Sequence, residues 1–501
     1  MSNTDRTHLV ESVHSTPAKP KHIPGKRRVI SITRDLQVDM SGFQTTKLDI
    51  FFQYTFGLRQ EAYKSQIALV EAWCTHNESS GELKTALDKF RLGKQEKDLY
   101  DPFVTMCTWF IKKAQDELKA MVQRSIGVKK YDTKSIDGIN ARKPDVVVVT
   151  AGMEAKRTWS PILCAIELKR MEDNKRLHAG GGDGDDEQPR KRSRGSHPVS
   201  GQVSGGGARS GGNSRVASQG VRPVSEGVSD AHGSLLTQDV NTPNTGEQAG
   251  AAAVTAAQAQ LGGYAMEMLT ACEWPFALGM LVQGTRLTLW CFQRSIAVRT
   301  IRLDLTRDLA VLGLFLVQIL CAQDVFLDAS AIWQKQVESL ECEATISTAG
   351  LGENEYWFER SDTLVAGKII SQLRSLTGRA TQIRKVTAKK SGKDYPNMVL
   401  KRSWKRKDSQ LEVEFIREAR TVLSVSENIV KVFAHGIVED VSAAERFELL
   451  GLGTDMLRVP HLSLMEEYLP IWKLKDEKKF WDVVVQLYKC ASFISSLSNI
   501  L

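Results

Sequence analysis

Apolar residues in the first third of the chain follow two different periods. From Thr46 to Gly81 and from Asp98 to Val128 they recur at steps of three and four residues, which predicts amphipathic helices. Two runs of β-forming residues follow, Asp145–Val149 and Ile162–Leu168, with a polar turn region between them. Because short apolar runs bounded by turn residues are typical of strands, we interpret this pair as a β-hairpin.

The regular pattern resumes after a long polar stretch. It predicts a helix from about Ala256 to Cys272 and three strands, at Ala277–Val282, Leu287–Phe292 and Ala297–Leu303. The most apolar run, Leu309–Ala322, is shorter than the roughly 20 residues that span a bilayer. We therefore expect a buried helix there and no contact with a membrane.

A third region begins near Tyr356 and is rich in basic residues. Its predicted strands are Val365–Ile370, Gln382–Ala388, Met398–Lys401 and Ile429–His435, and its predicted helix is Leu411–Val425. The whole chain is thus expected to have an α+β multidomain fold.

The polar stretch is dominated by glycine, serine and charged residues. Such a composition cannot bury enough apolar surface to offset the entropy of ordering, so residues 174–257 are predicted to be a disordered insert, and residues 1–40 a disordered N-terminus. A basic cluster inside the insert is typical of a nuclear import signal that an importin-type receptor binds; a solvated charge run is the alternative. Its members are Arg190, Lys191, Arg192 and Arg194.

Composition says more about the cellular location of the protein than about its activity. The chain has 501 residues and a formal net charge of +8, which is compatible with nucleic acid as a partner without requiring it. The eight cysteines form no C-x-x-C pair, and the N-terminus lacks the apolar core of a secretory signal. We expect reduced thiols and an intracellular location, nuclear or cytoplasmic.

The predicted hairpin carries candidate chemistry. Pro144-Asp145 opens its first strand, and the period of two places Glu167 and Lys169 on one face of the second. The carboxylates could hold Mg²⁺, which lowers the pKa of a bound water, and the amine could position the nucleophile or stabilise transition-state charge. Gln260 and Tyr264 lie four residues apart on one face of the next helix.

This arrangement resembles the PD-(D/E)xK nuclease superfamily. The resemblance implies a restriction-endonuclease-like α/β module over residues 41–173 and 258–345. It makes Asp145 and Glu167 metal ligands, Lys169 the catalytic lysine, and Gln260 and Tyr264 supporting residues. Many such folds also use an upstream helical acid, for which Glu61 and Glu71 are both candidates. The alternative is an inert fold in which Glu167 and Lys169 merely pair.

The third region has features of a nucleotide-binding sheet. Protein kinases hold nucleotide phosphates with a strand lysine that pairs with a helix glutamate. Lys401 is the candidate lysine, Glu414 or Glu418 its partner, and Gly378 lies in the loop between the first two strands. Leu464–Pro470 could form the strand and hinge beside an adenine. The alternative is that Lys401 belongs to an ordinary basic strand.

Other kinase motifs are missing from the sequence. No H-R-D-like catalytic loop and no D-F-G-like metal ligand occurs before Leu501, and the phosphate loop has one glycine where common kinases have three. As written, the chain is expected to be inactive in phosphoryl transfer, because these groups position the substrate and neutralise charge.

The order of the pieces resembles the fungal-type protein kinases, which are related in domain make-up to the Crinkler-type proteins. The resemblance lies in Glu96–Phe103, Asp145–Arg170, Gln260–Tyr264, Leu287–Ser295 and Leu400–Trp404. It implies a nuclease-like module followed by a kinase N-lobe and the start of a C-lobe over residues 356–501, with ATP as cofactor and a protein substrate in intact relatives.

Three functions therefore remain open from the sequence. The first is a kinase-like protein with an incomplete kinase domain, the second is a Mg²⁺-dependent nuclease, and the third is a non-catalytic scaffold for nucleic acid or protein. The feature that discriminates among them is whether Asp145, Glu167 and Lys169 lie close together in space.

Overall fold

The computed structural model describes most of the chain outside the polar insert. The described residues are 34–77, 81–131, 143–152, 159, 161–170, 254–271, 274–321, 329–342, 361–409, 411–421, 429–438, 441–468, 476–478, 481–482 and 484–485. The basic cluster at 190–194 and nearly all of the predicted disordered insert lie outside them.

Five helices precede the polar insert in the described residues. They are α1 (residues 34–40), α2 (Leu48–Phe56), α3 (Gln60–Asn77), α4 (Glu82–Leu92) and α5 (Glu96–Glu117). Where one helix was predicted over Thr46–Gly81 there are two, because Gly57 ends α2 with a φ of 70°, which glycine adopts without steric cost. Residues 34–40 were expected to be disordered but are helical, since Leu36 and Met40, one turn apart, are both buried.

The first sheet has eight strands within the described residues. They are β1 (Gln44–Thr46), β2 (Ile126–Lys130), β3 (Val146–Thr150), β4 (Ile162–Lys169), β5 (Phe276–Gln283), β6 (Arg286–Gln293), β7 (Ala297–Thr300) and β8 (Leu303–Asp304). Their order is β1-β7-β6-β5-β4-β3-β2, and β8 pairs with β6.

The connections of this sheet explain how its central strands are placed. β3 and β4 form the predicted antiparallel hairpin, whereas β4 and β5 are parallel and α6 (Ala256–Ala271) lies between them in sequence. β5 and β6 form a hairpin whose turn contains Gly284 at a φ of 61°. The helix that was predicted to continue to Val128 ends at Glu117, and the last residues of that range belong to β2.

A helix with Gln318 as its one polar residue fills the core beside this sheet. It is α7 (Leu309–Cys321), the predicted buried helix, and it packs against α3 and α5. Gly313 allows the close approach, because a Cβ there would lie 2.5 Å from a ring carbon of Phe110. In the described part of the chain, no helix combines the length and the apolar character needed to cross a membrane.

The second sheet is antiparallel and contains six strands in the part that the structure describes. They are β9 (Glu341–Cys342), β10 (Thr363–Gln372), β11 (Gln382–Lys390), β12 (Lys393–Arg406), β13 (Val432–Ile437) and β14 (Arg458–Glu466), in the order β10-β11-β12-β14-β13-β9. Helix α9 (Glu412–Arg420) lies between β12 and β13 in sequence, and α10 (Val441–Leu449) lies between β13 and β14. Two sheets with flanking helices confirm the α+β class.

The boundary between the two predicted modules is not at residue 345. Residues up to 345 were assigned to the first module, but Trp333 of α8 (Ala329–Glu338) packs on the core of the second sheet and β9 pairs with β13. In addition, Phe447 of α10 and Leu376 belong to the core cluster of the first module. The two sheets are therefore joined by shared apolar packing.

Candidate functional site

Three sequence-predicted site residues come together where β3 and β4 meet α5. Asp145 directly precedes β3, while Glu167 and Lys169 lie two residues apart on β4 and so share a face. The Lys169 Nζ is 2.6 Å from Glu167 Oε1 and 3.9 Å from Asp145 Oδ2. The backbone N–H of Leu168 donates to Asp145 Oδ2 at 2.8 Å, which fixes that carboxylate on the neighbouring strand.

Helix α6 supplies the two supporting residues that were predicted. The Tyr264 hydroxyl lies 2.9 Å from Glu167 Oε2 and 2.7 Å from the Lys143 carbonyl oxygen, so it donates to one of these acceptors at a time. Gln260 donates to the same hydroxyl at 2.6 Å, and the Tyr264 ring stacks on Trp159. The one-turn spacing of Gln260 and Tyr264 is what places both side chains on the face that meets Glu167.

Helix α5 contributes an acid and a phenol that the sequence argument did not assign to the site. Glu96 Oε1 is 3.2 Å from Lys169 Nζ, and the Tyr100 hydroxyl is 3.0 Å from both Glu96 Oε1 and Asp145 Oδ1. Glu96 is therefore the acid of α5 that contacts these residues, and neither earlier candidate does so: Glu61 pairs with Lys64 in solvent, and Glu71 is exposed on α3. We call Glu96, Asp145, Glu167 and Lys169 the carboxylate–lysine cluster.

Burial sets the electrostatics of this cluster. Glu167 is completely buried, and burial together with the Asp145 charge raises its pKa to about 7 against the opposing effect of Lys169. Burial also raises the pKa of Asp145, although the Leu168 N–H and Lys169 oppose it. For Lys169, burial favours the neutral amine, but the carboxylates of Glu167, Asp145 and Glu96 outweigh it and raise the pKa.

The oxygen donors of the cluster suit a hard divalent cation. Glu167 Oε1 is buried and accepts no well-aligned hydrogen bond from the described residues, and only the Lys169 amine compensates it. Among those residues, no group of three or more His, Cys, Asp or Glu side chains is arranged as a metal site. Mg²⁺ needs one or two carboxylates and completes its shell with water and phosphate oxygens, so Asp145 and Glu167 would be sufficient.

A second constellation lies on the other sheet. Lys401, on β12, forms an ion pair with Glu412 at the first position of α9, and Lys405 Nζ is 3.7 Å from the other oxygen of Glu412. Burial raises the pKa of Glu412, but the two lysines outweigh it and lower the pKa overall. Because the charges compensate each other, a partly buried cation can be held on the strand.

The partner of Lys401 differs from the two that the sequence suggested. Glu414 turns back to accept a hydrogen bond from the Leu411 N–H at 3.3 Å, so it caps its own helix. Glu418 lies in the last part of α9, more than a turn beyond Glu412. The first residue of the helix therefore pairs with the strand lysine, and Glu414 and Glu418 do not.

The loop between β10 and β11, residues 373–381, contains Gly378 and is fixed on the first module; we call it the docked loop. Leu376 is completely buried in the core of that module. The N–H groups of Leu376 and Thr377 donate to Asp39 Oδ2 at 2.9 and 3.3 Å, and the Gly378 N–H donates to the Arg294 carbonyl at 3.0 Å. Gly378 has a φ of 96°, which glycine adopts readily.

Residues 228–450 match the family model of the fungal protein kinases. The matched range contains the docked loop, Lys401 and Glu412, together with Gln260 and Tyr264 of α6. Strands β3 and β4 lie before it. The match with the fungal protein kinase family therefore supports the kinase part of the resemblance. Neither the curated proteins nor the solved structures include a match to this chain.

Proposed function

We propose that the second sheet and α9 are the nucleotide-binding part of a fungal-type protein kinase, with ATP as the ligand. The observation that carries the proposal is the pair formed by Lys401 on a strand and Glu412 on the following helix. Protein kinases use such a pair to hold the nucleotide phosphates. The family match over the same residues supports this assignment.

These 501 residues are expected to bind the nucleotide without transferring its phosphate. The sequence contains no H-R-D-like base and no D-F-G-like metal ligand, and both groups are central to phosphoryl transfer. A protein substrate is the expected acceptor in relatives that have these groups. Mg²⁺ would accompany ATP at the phosphates.

Calorimetric titration of the purified chain with Mg-ATP tests the proposal. Lys401→Ala should abolish measurable binding and Glu412→Gln should weaken it, because the lysine would lose the group that orients it. Lys368→Ala is the matched control, since Lys368 is an exposed lysine on β10 of the same sheet. Unchanged ATP binding in Lys401→Ala would show that this lysine is not part of the nucleotide site. Transfer of ³²P from ATP to protein by the purified chain would overturn the expected inactivity.

A second candidate function is a Mg²⁺-dependent nuclease. It is supported by the convergence of Asp145, Glu167 and Lys169, with Tyr264 and Gln260 behind them. When bound, the metal would supply an activated water and stabilise phosphate charge. Asp145 and Glu167 would hold it, and Lys169 would carry positive charge beside the phosphate.

Cleavage of plasmid DNA and single-stranded RNA with Mg²⁺ or Mn²⁺ tests this second candidate. We expect activity to disappear in Asp145→Ala and to persist in Glu61→Gln, which alters an exposed acid that pairs with Lys64. Cleavage that persists in Asp145→Ala would indicate contamination or another site. Salt-sensitive binding of the same nucleic acids without turnover would favour the scaffold hypothesis instead.

A further inference from the structure

We propose that the side chains of Arg379 and Lys405, together with Lys401, form a polyphosphate-binding site in which cations take the place of loop backbone amides. We call these three residues the cationic trio. The inference deepens the proposed function, because it names the groups that would hold the phosphates of the nucleotide. Neither Arg379, which follows Gly378 in the docked loop, nor Lys405 is among the site residues that the sequence indicated.

The backbone amides of the docked loop are already occupied. A glycine-rich kinase loop covers the nucleotide phosphates. Here three consecutive N–H groups, those of Leu376, Thr377 and Gly378, already donate to Asp39 and to the Arg294 carbonyl of the first module. These amides are not free to bind a phosphate while the loop remains docked.

The docked loop holds Arg379 close to Lys405. The Trp404 N–H donates to the Arg379 carbonyl at 2.7 Å, so the loop runs beside the end of β12. Trp404 directly precedes Lys405, and the positive charge of Arg379 is close enough to lower the pKa of the Lys405 amine. Arg379 is exposed, so its guanidinium is accessible from solvent.

Positive charge exceeds negative charge around Glu412. Lys401 and Lys405 are four residues apart on one strand and therefore share a face. Both amines contact the single carboxylate of Glu412. Within the described ranges Arg379 has no ion pair. Burial lowers the pKa of Lys405, and the charges of Lys401 and Arg379 add to this effect while Glu412 opposes it.

Three cations beside a single carboxylate leave an excess of positive charge, which suits a multiply charged anion. A polyphosphate chain would neutralise the excess charge and accept several charge-assisted hydrogen bonds, including bidentate bonds from the guanidinium. The trio is also preorganised, because the docked loop is anchored on both sides of Arg379.

Titration of the full 501-residue chain with ATP, tripolyphosphate and adenosine tests the inference. Arg379→Gln and Lys405→Gln should each weaken ATP and tripolyphosphate binding about tenfold and leave adenosine binding nearly unchanged, because a hydrogen bond to a charged group contributes about that much. Lys368→Gln is the control, as an exposed charge change on the same sheet. Equal thermal midpoints of the variants and the wild type would show that the fold is kept.

The outcomes separate this inference from the proposed function. ATP binding that depends on Lys401 but is unchanged in Arg379→Gln and Lys405→Gln would overturn the inference and leave the proposed function standing. Tripolyphosphate binding that depends on the trio, without any added affinity from adenosine in ATP, would support the anion site and overturn the nucleotide assignment. Absence of binding by both phosphate ligands would overturn both.

Discussion

Asp39 offers the sharpest test of how the docked loop is held. Its carboxylate lies at the end of α1 and accepts hydrogen bonds from two backbone N–H groups that are 337 and 338 residues away in the chain. Asp39→Ala removes this acceptor. Because Leu376 is buried, water cannot readily replace the lost bonds.

The expected cost follows from the geometry. A buried donor without an acceptor costs about 1–3 kcal/mol. The Leu376 bond is 2.9 Å long and the Thr377 bond is 3.3 Å, so the second contributes less. Burial raises the pKa of Asp39 despite these bonds, so its ionised form carries a desolvation cost that the substitution relieves. We expect a net loss of about 2 kcal/mol, which corresponds to roughly thirtyfold faster opening of the loop.

Two assays measure this loss. Native-state hydrogen exchange should show the Leu376 and Thr377 amides exchanging about thirtyfold faster in Asp39→Ala, with β5 and β6 unchanged. Thermal unfolding should show a lower midpoint. Asp39→Asn keeps one acceptor oxygen and should recover about half of the protection, and Asp35→Ala, on the exposed face of α1, should change stability by less than about 0.5 kcal/mol.

Unchanged exchange at both amides in Asp39→Ala would refute this account of the loop. An equal increase at every amide of the chain would also contradict it, because that pattern indicates global destabilisation rather than release of one loop. Either result would also contradict the claim that the docked loop holds Arg379 of the cationic trio in place.

Three further predictions address other parts of the fold. Gly313→Ala should destabilise the protein by about 1–3 kcal/mol in urea unfolding, because the new methyl group would overlap Phe110. Glu267→Gln should lower the free energy of unfolding by about 3 kcal/mol in the same assay, since Arg374 would lose its buried ionic partner. Burial and Lys405 lower the pKa of His461 to about 4, so the folded state binds fewer protons than the unfolded state below pH 6.5. The free energy of unfolding should therefore fall by on the order of 2–3 kcal/mol from pH 6.5 to pH 4, and His461→Leu should flatten that slope.

The spacing of residues along the sequence was sufficient to predict how some of the site residues are placed. The period of two on β4 placed Glu167 and Lys169 on one face, and the one-turn spacing placed Gln260 beside Tyr264, as the structure has them. The turn at Gly284 was likewise predictable, because glycine readily adopts the φ that a tight hairpin requires.

Contacts between distant segments could not be predicted in this way. Glu96 reaches Lys169 across 73 residues, and its position depends on how α5 packs against the sheet rather than on its own neighbours in sequence. The partner of Lys401 depends on where α9 begins, and periodicity does not fix that residue. The docking of the β10–β11 loop on Asp39 joins two parts of the chain that carry no shared pattern.

The central claim is that Lys401 lies at the phosphates of a bound nucleotide. An acyl-phosphate derivative of ATP tests it directly, since a lysine amine held at the phosphates attacks the acyl carbonyl, keeps the acyl group and releases ATP. Peptide mass spectrometry of the labelled chain should find the acyl group on Lys401, with a smaller fraction on Lys405, and excess ATP should suppress both. Labelling that excess ATP does not suppress, or that occurs only on lysines outside β12, would contradict the claim.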